Sequence, residues 1–235
     1  NMSVLQEYFV RFIDMVSPRA CRICGCRLAI SERIICARCN LHLPRTHFSR
    51  NPYNNSMCML FWGRIKVERC TALFFYHPQS EPSRIILALK YLYHPEIGRQ
   101  MGRMLAEESK NDGFFDTIDM IIPVPLSMKR QKSRGYNQSA EIAKGISDIT
   151  DLPVMEGLIT RTSFKQSQTR MHRWQRNENV ANSFVLTSDI SLEGKHILLV
   201  DDIVTTGATI VACAAEIQKQ KKKKISIMSL GLTQS

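Results

Sequence analysis

Two adjacent acids, Asp201 and Asp202, end an apolar run and lead into Thr205-Thr206-Gly207-Ala208-Thr209. A turn of this composition suits a phosphate. Glycine lets the backbone approach closely, and threonine hydroxyls donate to phosphate oxygens. A helix starting near Ala208 adds free N–H groups and the positive end of its dipole. The two carboxylates accept hydrogen bonds only, so they ask for a ligand with hydroxyls beside its phosphate. Ribose 5-phosphate has both: its phosphate suits the threonine turn and its 2- and 3-hydroxyls suit the acids. Mg2+ would offset the remaining negative charge. Acids that merely cap a helix are the competing reading, and they leave the composition of the turn unexplained. Neither a GxxxxGK loop nor a GxGxxG fingerprint is present.

A second chemistry sits near the N-terminus. Cys21, Cys24, Cys36 and Cys39 form two CxxC pairs separated by eleven residues. That pattern predicts a compact ribbon around a structural Zn2+. Gly25 and Asn40 follow the two pairs, and both residue types tolerate a left-handed turn that aims N–H groups at thiolates. Two disulfides in an exported chain are the alternative, and it lacks an export signal. Cys26 reads as a bystander. Cys58, Cys70 and Cys213 read as small buried apolar residues.

The chain of 235 residues carries a formal charge of +11. Lys129 to Arg134 holds four bases and no acid, and residues 161–182 hold five bases against Glu178 alone. Such clusters favour phosphate-bearing partners, small or polymeric. No apolar run approaches the ~20 residues that span a bilayer. A cytoplasmic location is the expectation. Val4, Tyr8, Phe12 and Met15 share a face of an expected amphipathic helix over 1–19.

The elements that must position these residues alternate. Strands are predicted at "CTALFFY", "DMIIPVPL", "SFVLTS", "HILLVDDI" and "KISIMSLGL". Helices are predicted at "EPSRIILALKYLYH", "PEIGRQMGRMLAEES", "NQSAEIAKGISDIT" (Asn137 its cap) and "ATIVACAAEIQKQ". Alternation of this kind implies α/β architecture: a mostly parallel sheet with helices on both faces. The Pro-, Asn- and Ser-rich stretch after the ribbon reads as a linker. The expected divisions are the helix at 1–19, the ribbon at 20–50, a linker at 51–70 and the α/β domain at 71–235.

"ILLVDDIVTTGAT" (Ile197–Thr209) resembles the 5-phosphoribosyl 1-pyrophosphate (PRPP) signature of type I phosphoribosyltransferases. Three further stretches are similar to the ComF family, the competence protein F and GntX-like group. They are Leu89-Lys90-Tyr91, the block from Pro123-Val124-Pro125-Leu126 to Arg134-Gly135-Tyr136-Asn137-Gln138, and a block keeping Gln168, Thr169, Arg173, Arg176, Asn179 and Phe184. The resemblance implies a zinc ribbon before a type I phosphoribosyltransferase-like, Rossmann-like domain. It implies PRPP binding, with Mg2+, by Asp201, Asp202, Thr205, Thr206, Gly207, Ala208 and Thr209.

The resemblance also gives roles to the bases. Leu126 to Asn137 resembles the pyrophosphate loop, with Lys129, Arg130 and Arg134 as its cations. Residues 165–180 resemble a closing loop that brings Arg173 and Arg176 onto the pyrophosphate. Arg170-Met171-His172 and Trp174 depart from the family pattern there. Three functions are compatible with the resemblance: a phosphoribosyltransferase, a single-stranded DNA-binding accessory of DNA uptake with PRPP only as ligand, and a module whose ribbon docks a partner. Competence helicase or recombination proteins are partners it implies. Phe61, Trp62, Phe74, Phe75 and Tyr76 are expected as core, with base stacking the alternative.

Overall fold

A computed structural model describes residues 19–162, 183–187, 192–219 and 223–234. The expected helix before residue 19 and the segment carrying Arg173 and Arg176 lie outside them. The strands are β1 (Cys70–Tyr76), β2 (Met120–Pro123), β3 (Ile159–Thr162), β4 (Ser183–Leu186), β5 (His196–Val204) and β6 (Lys224–Thr233). The helices are α1 (Ala37–Leu41), α2 (Ser56–Met59), α3 (Ser83–Tyr91), α4 (Pro95–Lys110), α5 (Met128–Arg134), α6 (Gln138–Thr150) and α7 (Ala208–Gln218).

Four strands form a parallel sheet in the order β1-β6-β5-β2. Alternation along β5 explains its central place. Leu198 and Val200 join the cluster under α3, α4 and α6, while Ile197 and Leu199 join the cluster under α7. A strand buried on both faces reads as a continuous apolar run, as β5 does. The ribbon does not stand apart from this core. Ile23, Leu28, Ile35 and Leu43 are buried in the same cluster as α3 and α4.

α4 and α6 cross at backbone contact. A Cβ on Gly102 would lie 2.2 Å from the Ile142 carbonyl oxygen, and one on Gly145 would lie 2.0 Å from that of Arg99. Asp148 then clamps both ends of one α4 turn, accepting from Arg99 and from Arg103 at 2.7 Å. The Arg99 hydrogen bond, reinforced by that of Arg103, holds the Asp148 carboxyl well below the usual range.

Three elements differ from the sequence reading. "SFVLTS" does yield a strand, β4, but it pairs antiparallel with β3 in a separate two-stranded ribbon. The stretch after "PVPL" is not an open loop, because α5 occupies its middle. Residues 51–70, expected as a linker, contain α2, capped by Asn55, and bury Met57 and Phe61 fully. Of the aromatic residues discussed above, Phe61 and Phe74 are buried and Trp62 is 84% exposed.

Candidate functional site

The carboxyl end of β5 meets the N-terminus of α7, the position at which open parallel sheets bind ligands. Asp201 and Asp202 are the last polar pair of the strand, and Gly207 is the residue before Ala208. Gly207 is held at φ 71°, in the left-handed region. A Cβ there would also lie 2.7 Å from Cε1 of Phe61, so glycine is required twice over. Arg64 Nη1 donates to the Thr206 carbonyl at 2.7 Å and to the Leu60 carbonyl at 3.0 Å. The segment after α2 thus fixes the turn from outside. Thr205 and Thr206 remain exposed, and Thr209 is half-buried in the first turn of α7.

The two acids have different surroundings. Asp201 Oδ1 accepts from Ser139 Oγ at 3.1 Å and from the Asp202 N–H at 2.8 Å. Asp202 Oδ1 accepts from the Ile203 N–H at 2.7 Å, and its Oδ2 pairs with Lys90 Nζ at 3.0 Å. Burial, followed by the charge of Asp202, pushes the Asp201 carboxyl up to about 7. The ionised form of Asp201 is thus disfavoured at the carboxyl end of the sheet, where a polyhydroxylated ligand or a cation would relieve it.

The basic element lies beyond β2. Ser127 caps α5 by accepting from the Arg130 N–H at 3.4 Å, and Gly135 ends it at φ 77°. A Cβ on Gly135 would lie 2.3 Å from Tyr93 Cε2. Lys129 and Arg130 are exposed on α5. Arg134 is engaged instead: it donates to Gln138 Oε1 at 2.8 Å and lies 5.8 Å from the Tyr91 ring centroid. Tyr136 donates to the Leu89 carbonyl, and Asn137 Nδ2 donates to the Val124 carbonyl at 3.1 Å. The "RGYNQ" residues thereby lock α5 to α3 and to the end of β2.

Sequence reasoning assigned no role to Lys90, Ser139, Arg64 or Arg161. Lys90 and Ser139 were within reach, since each lies in or beside a quoted motif. Arg161 of β3 has its basicity lowered by burial and then by Arg130, while Asp201 opposes the shift. It stands 5.7 Å over the Phe184 ring of β4. Arg161 of β3 thus feels both the repelling Arg130 of α5 and the attracting Asp201.

At the ribbon, Cys21, Cys24, Cys26 and Cys36 bring their sulfurs within 4.8 Å of one another. The Cys36 N–H donates to Cys21 Sγ at 3.3 Å, and the Cys39 N–H to Cys36 Sγ at 3.5 Å. Gly25 adopts the expected left-handed turn at φ 75°. Asn40 does not. It lies inside α1 and engages Arg45 through its carbonyl and Oδ1. Glu32 spans the interval between the cysteine pairs, accepting from the Ala29 N–H at 2.7 Å and the Ala37 N–H at 2.6 Å. Clustered thiols with N–H···S bonds are a donor set that fits Zn2+.

Comparison with known proteins agrees with this architecture. Residues 89–231 match the phosphoribosyl transferase domain family. The DNA utilization protein YhgH of Escherichia coli O6:H1 is 27% identical over 221 residues, covering 91% of this chain and 90% of that protein. Competence protein F of Haemophilus influenzae is 28% identical over 156 residues, covering 64% of this chain and 68% of that protein. Among solved structures, the purine phosphoribosyltransferase of Pyrococcus horikoshii superposes with a TM-score of 0.37 at 20% identity, covering 57% of this chain and 73% of that one. With its N-terminal cysteine cluster and a domain match over most of the remaining length, the chain belongs to the phosphoribosyltransferase domain family, in its ComF group.

Proposed function

We propose that this protein binds PRPP with Mg2+ at the Asp201–Thr209 turn and works in the cytoplasmic handling of DNA or nucleotides. The observation that supports the reading is the half-buried acid pair set directly before a glycine-pinned helix N-terminus. In this reading the ribose hydroxyls donate to Asp201 and Asp202, and the 5-phosphate accepts from Thr205, Thr206, Thr209 and the N–H groups of Gly207 and Ala208. Carboxylate oxygens also suit a hard cation, which would bridge to the pyrophosphate. Lys129, Arg130 and Arg134 on α5 are the proposed cations for the pyrophosphate, and Arg173 and Arg176 are assigned there by resemblance alone. If a transfer takes place, a nucleophile attacks the anomeric carbon as pyrophosphate departs. The protein's share is then to orient the ribose and to neutralise the departing charge. The names of the relatives, DNA utilization protein and competence protein, support the link to DNA.

Calorimetric titration with PRPP and Mg2+ tests the reading. A Gly207→Val variant should lose at least about tenfold in affinity, because the side chain strikes Phe61 and strains the turn. Affinity within twofold of wild type would remove the turn from the site. Pyrophosphate release in the presence of bases, nucleotides and DNA then decides whether the group is transferred.

A second reading, single-stranded DNA binding with PRPP only as ligand, has one observation in its favour. Exposed Trp62, Tyr53 and Met59 line a cavity of about 620 Å3 together with Lys66. Aromatic faces interleaved with bases stack nucleotides and track their phosphates. Fluorescence-anisotropy binding of an oligonucleotide should weaken steeply between low and physiological salt and should weaken further in Trp62→Ala. No binding at low salt eliminates this reading.

A further inference from the structure

We propose that Cys58 and Cys70 form a reactive thiol pair: Cys58 captures a low-molecular-weight disulfide, and Cys70 closes the pair into an internal disulfide. The inference goes beyond the proposed function and does not depend on it. Neither residue sits in a CxxC, and both read from the sequence as small buried apolar residues. The structure bears this out for Cys70, which is fully buried, but not for Cys58. Cys58 is half-buried and opens on the cavity of about 620 Å3 that Tyr53, Met59, Trp62 and Lys66 also line.

Two residues bridge the pair. The Pro52 carbonyl accepts from Cys58 Sγ at 3.2 Å and from the Cys70 N–H at 2.8 Å. The Asn55 side chain, the cap of α2, accepts from the Cys58 N–H at 3.1 Å and donates to the Cys70 carbonyl at 2.9 Å. The end of α2 and the first residue of β1 are thereby fastened to each other at both cysteines. The Cys70 thiol completes the arrangement by donating to the Cys58 sulfur. Cys213, the remaining thiol outside the ribbon, is buried in the cluster under α7.

These contacts assign the roles. The hydrogen bond from Cys70, opposed by burial, lowers the Cys58 thiol to about 7, so much of it is thiolate near neutral pH. The same hydrogen bond, with burial, holds Cys70 protonated, well above the usual thiol range. Cys58 is therefore the attacking sulfur, and Cys70, closed to solvent, is reached only through it. The Cys58 thiolate attacks one sulfur of the incoming disulfide RSSR, the S–S bond breaks, and RS− leaves. Cys70 has then lost its thiolate neighbour. It gives up its proton and attacks the Cys58 sulfur of the mixed disulfide, expelling a second RS−. The protons released by the two cysteines convert both leaving groups to RSH. Two cysteine thiols are oxidised to one internal disulfide, and one RSSR is reduced to two RSH. The new bond would tie β1 to the segment whose Phe61 and Arg64 support the Gly207 turn.

The test treats the full folded chain, with Zn2+ present, with glutathione disulfide, followed by acid quenching and digestion. Tryptic cleavage after Arg50, Arg64, Arg69 and Arg84 puts Cys58 on peptide 51–64 and Cys70 on peptide 70–84, apart from every ribbon cysteine. Mass spectrometry should find these two peptides cross-linked, and dithiothreitol should separate them. Cys70→Ala should stop at a glutathione adduct on Cys58, and Cys58→Ser should leave Cys70 at least about tenfold less modified. A glutathione adduct that persists on Cys58 of the wild-type chain while Cys70 stays free overturns the proposal. So does a Cys58 that remains unmodified. Both of these readouts come from the wild-type chain and hold even where a variant fails to fold.

Discussion

Asp201→Asn is expected to weaken PRPP binding by at least about tenfold and, at the same time, to raise the melting temperature of the unliganded protein at pH 8. The two effects have one cause. The Asp201 carboxyl is pushed up to about 7 by burial and by Asp202. The folded state therefore binds a proton between the unfolded value, about 4, and about 7, where the unfolded chain does not. Stability contributed by this group is complete below the unfolded value and is lost as pH rises through the folded one. At pH 8 the charged Asp201 costs on the order of 2–4 kcal/mol. Asparagine keeps an oxygen for the Ser139 hydroxyl and the Asp202 N–H and carries no charge. Its Tm should rise by several degrees at pH 8, by less at pH 5, and hardly change below about pH 4. Ribose hydroxyls, however, then lose a charged acceptor, worth about 1.5–3 kcal/mol per hydrogen bond. Calorimetry should find affinity reduced by at least about tenfold. Unchanged PRPP affinity would falsify the ribose assignment. A lower Tm at pH 8 would mean that the acid stabilises the fold and is not held there at a cost for a ligand.

The parts of this arrangement that were legible in the sequence are those with local signals. β5 has four apolar residues before its acids, α6 has Asn137 in place as its cap, and α7 begins one residue after the glycine. Their periodicity and caps lie within a dozen residues of each other. α5 was missed because it buries nothing. MKRQKSR has no apolar stripe, and the helix depends on Ser127 at one end and Gly135 at the other. β3 was missed because "ITRT" finds its partner across a long excursion, in β4. The support of the turn was missed for the same reason. Arg64 reaches Thr206 across 142 residues, and no local pattern announces such a contact. Pro, Asn and Ser made residues 51–70 read as linker, although Asn55 was a cap and Phe61 was a packing partner waiting for Gly207.

Removing the metal proposed for the ribbon should disturb the proposed PRPP site through α3 and Lys90. Residues 20–43 have little regular structure beyond α1 and the Ala20–Arg27 bridge, so a bound ion would be their main cross-link. The ribbon in turn supports α3. Arg84 Nη1 donates to the Ile23 carbonyl at 2.6 Å, and Ile23, Leu28, Ile35 and Leu43 complete the cluster around Ile85, Ile86 and Leu89. The last turn of α3 carries Lys90, which holds Asp202 at 3.0 Å. Loss of Zn2+ frees one side of α3 and loosens that ion pair. Cys21→Ser combined with Cys24→Ser removes two thiols of the cluster proposed to hold the metal. The variant should contain no zinc, melt at least several degrees lower, and bind PRPP about two- to tenfold more weakly, since an interaction next to the ligand is loosened and not deleted. Lys90→Met in the zinc-loaded protein should reproduce the affinity loss without the fall in Tm, because a partly exposed ion pair adds little to stability. That separation is the decisive result. If the zinc-free variant keeps full PRPP affinity, ribbon and turn are independent. If Lys90→Met also keeps it, Lys90 serves only to neutralise Asp202 in the unliganded protein.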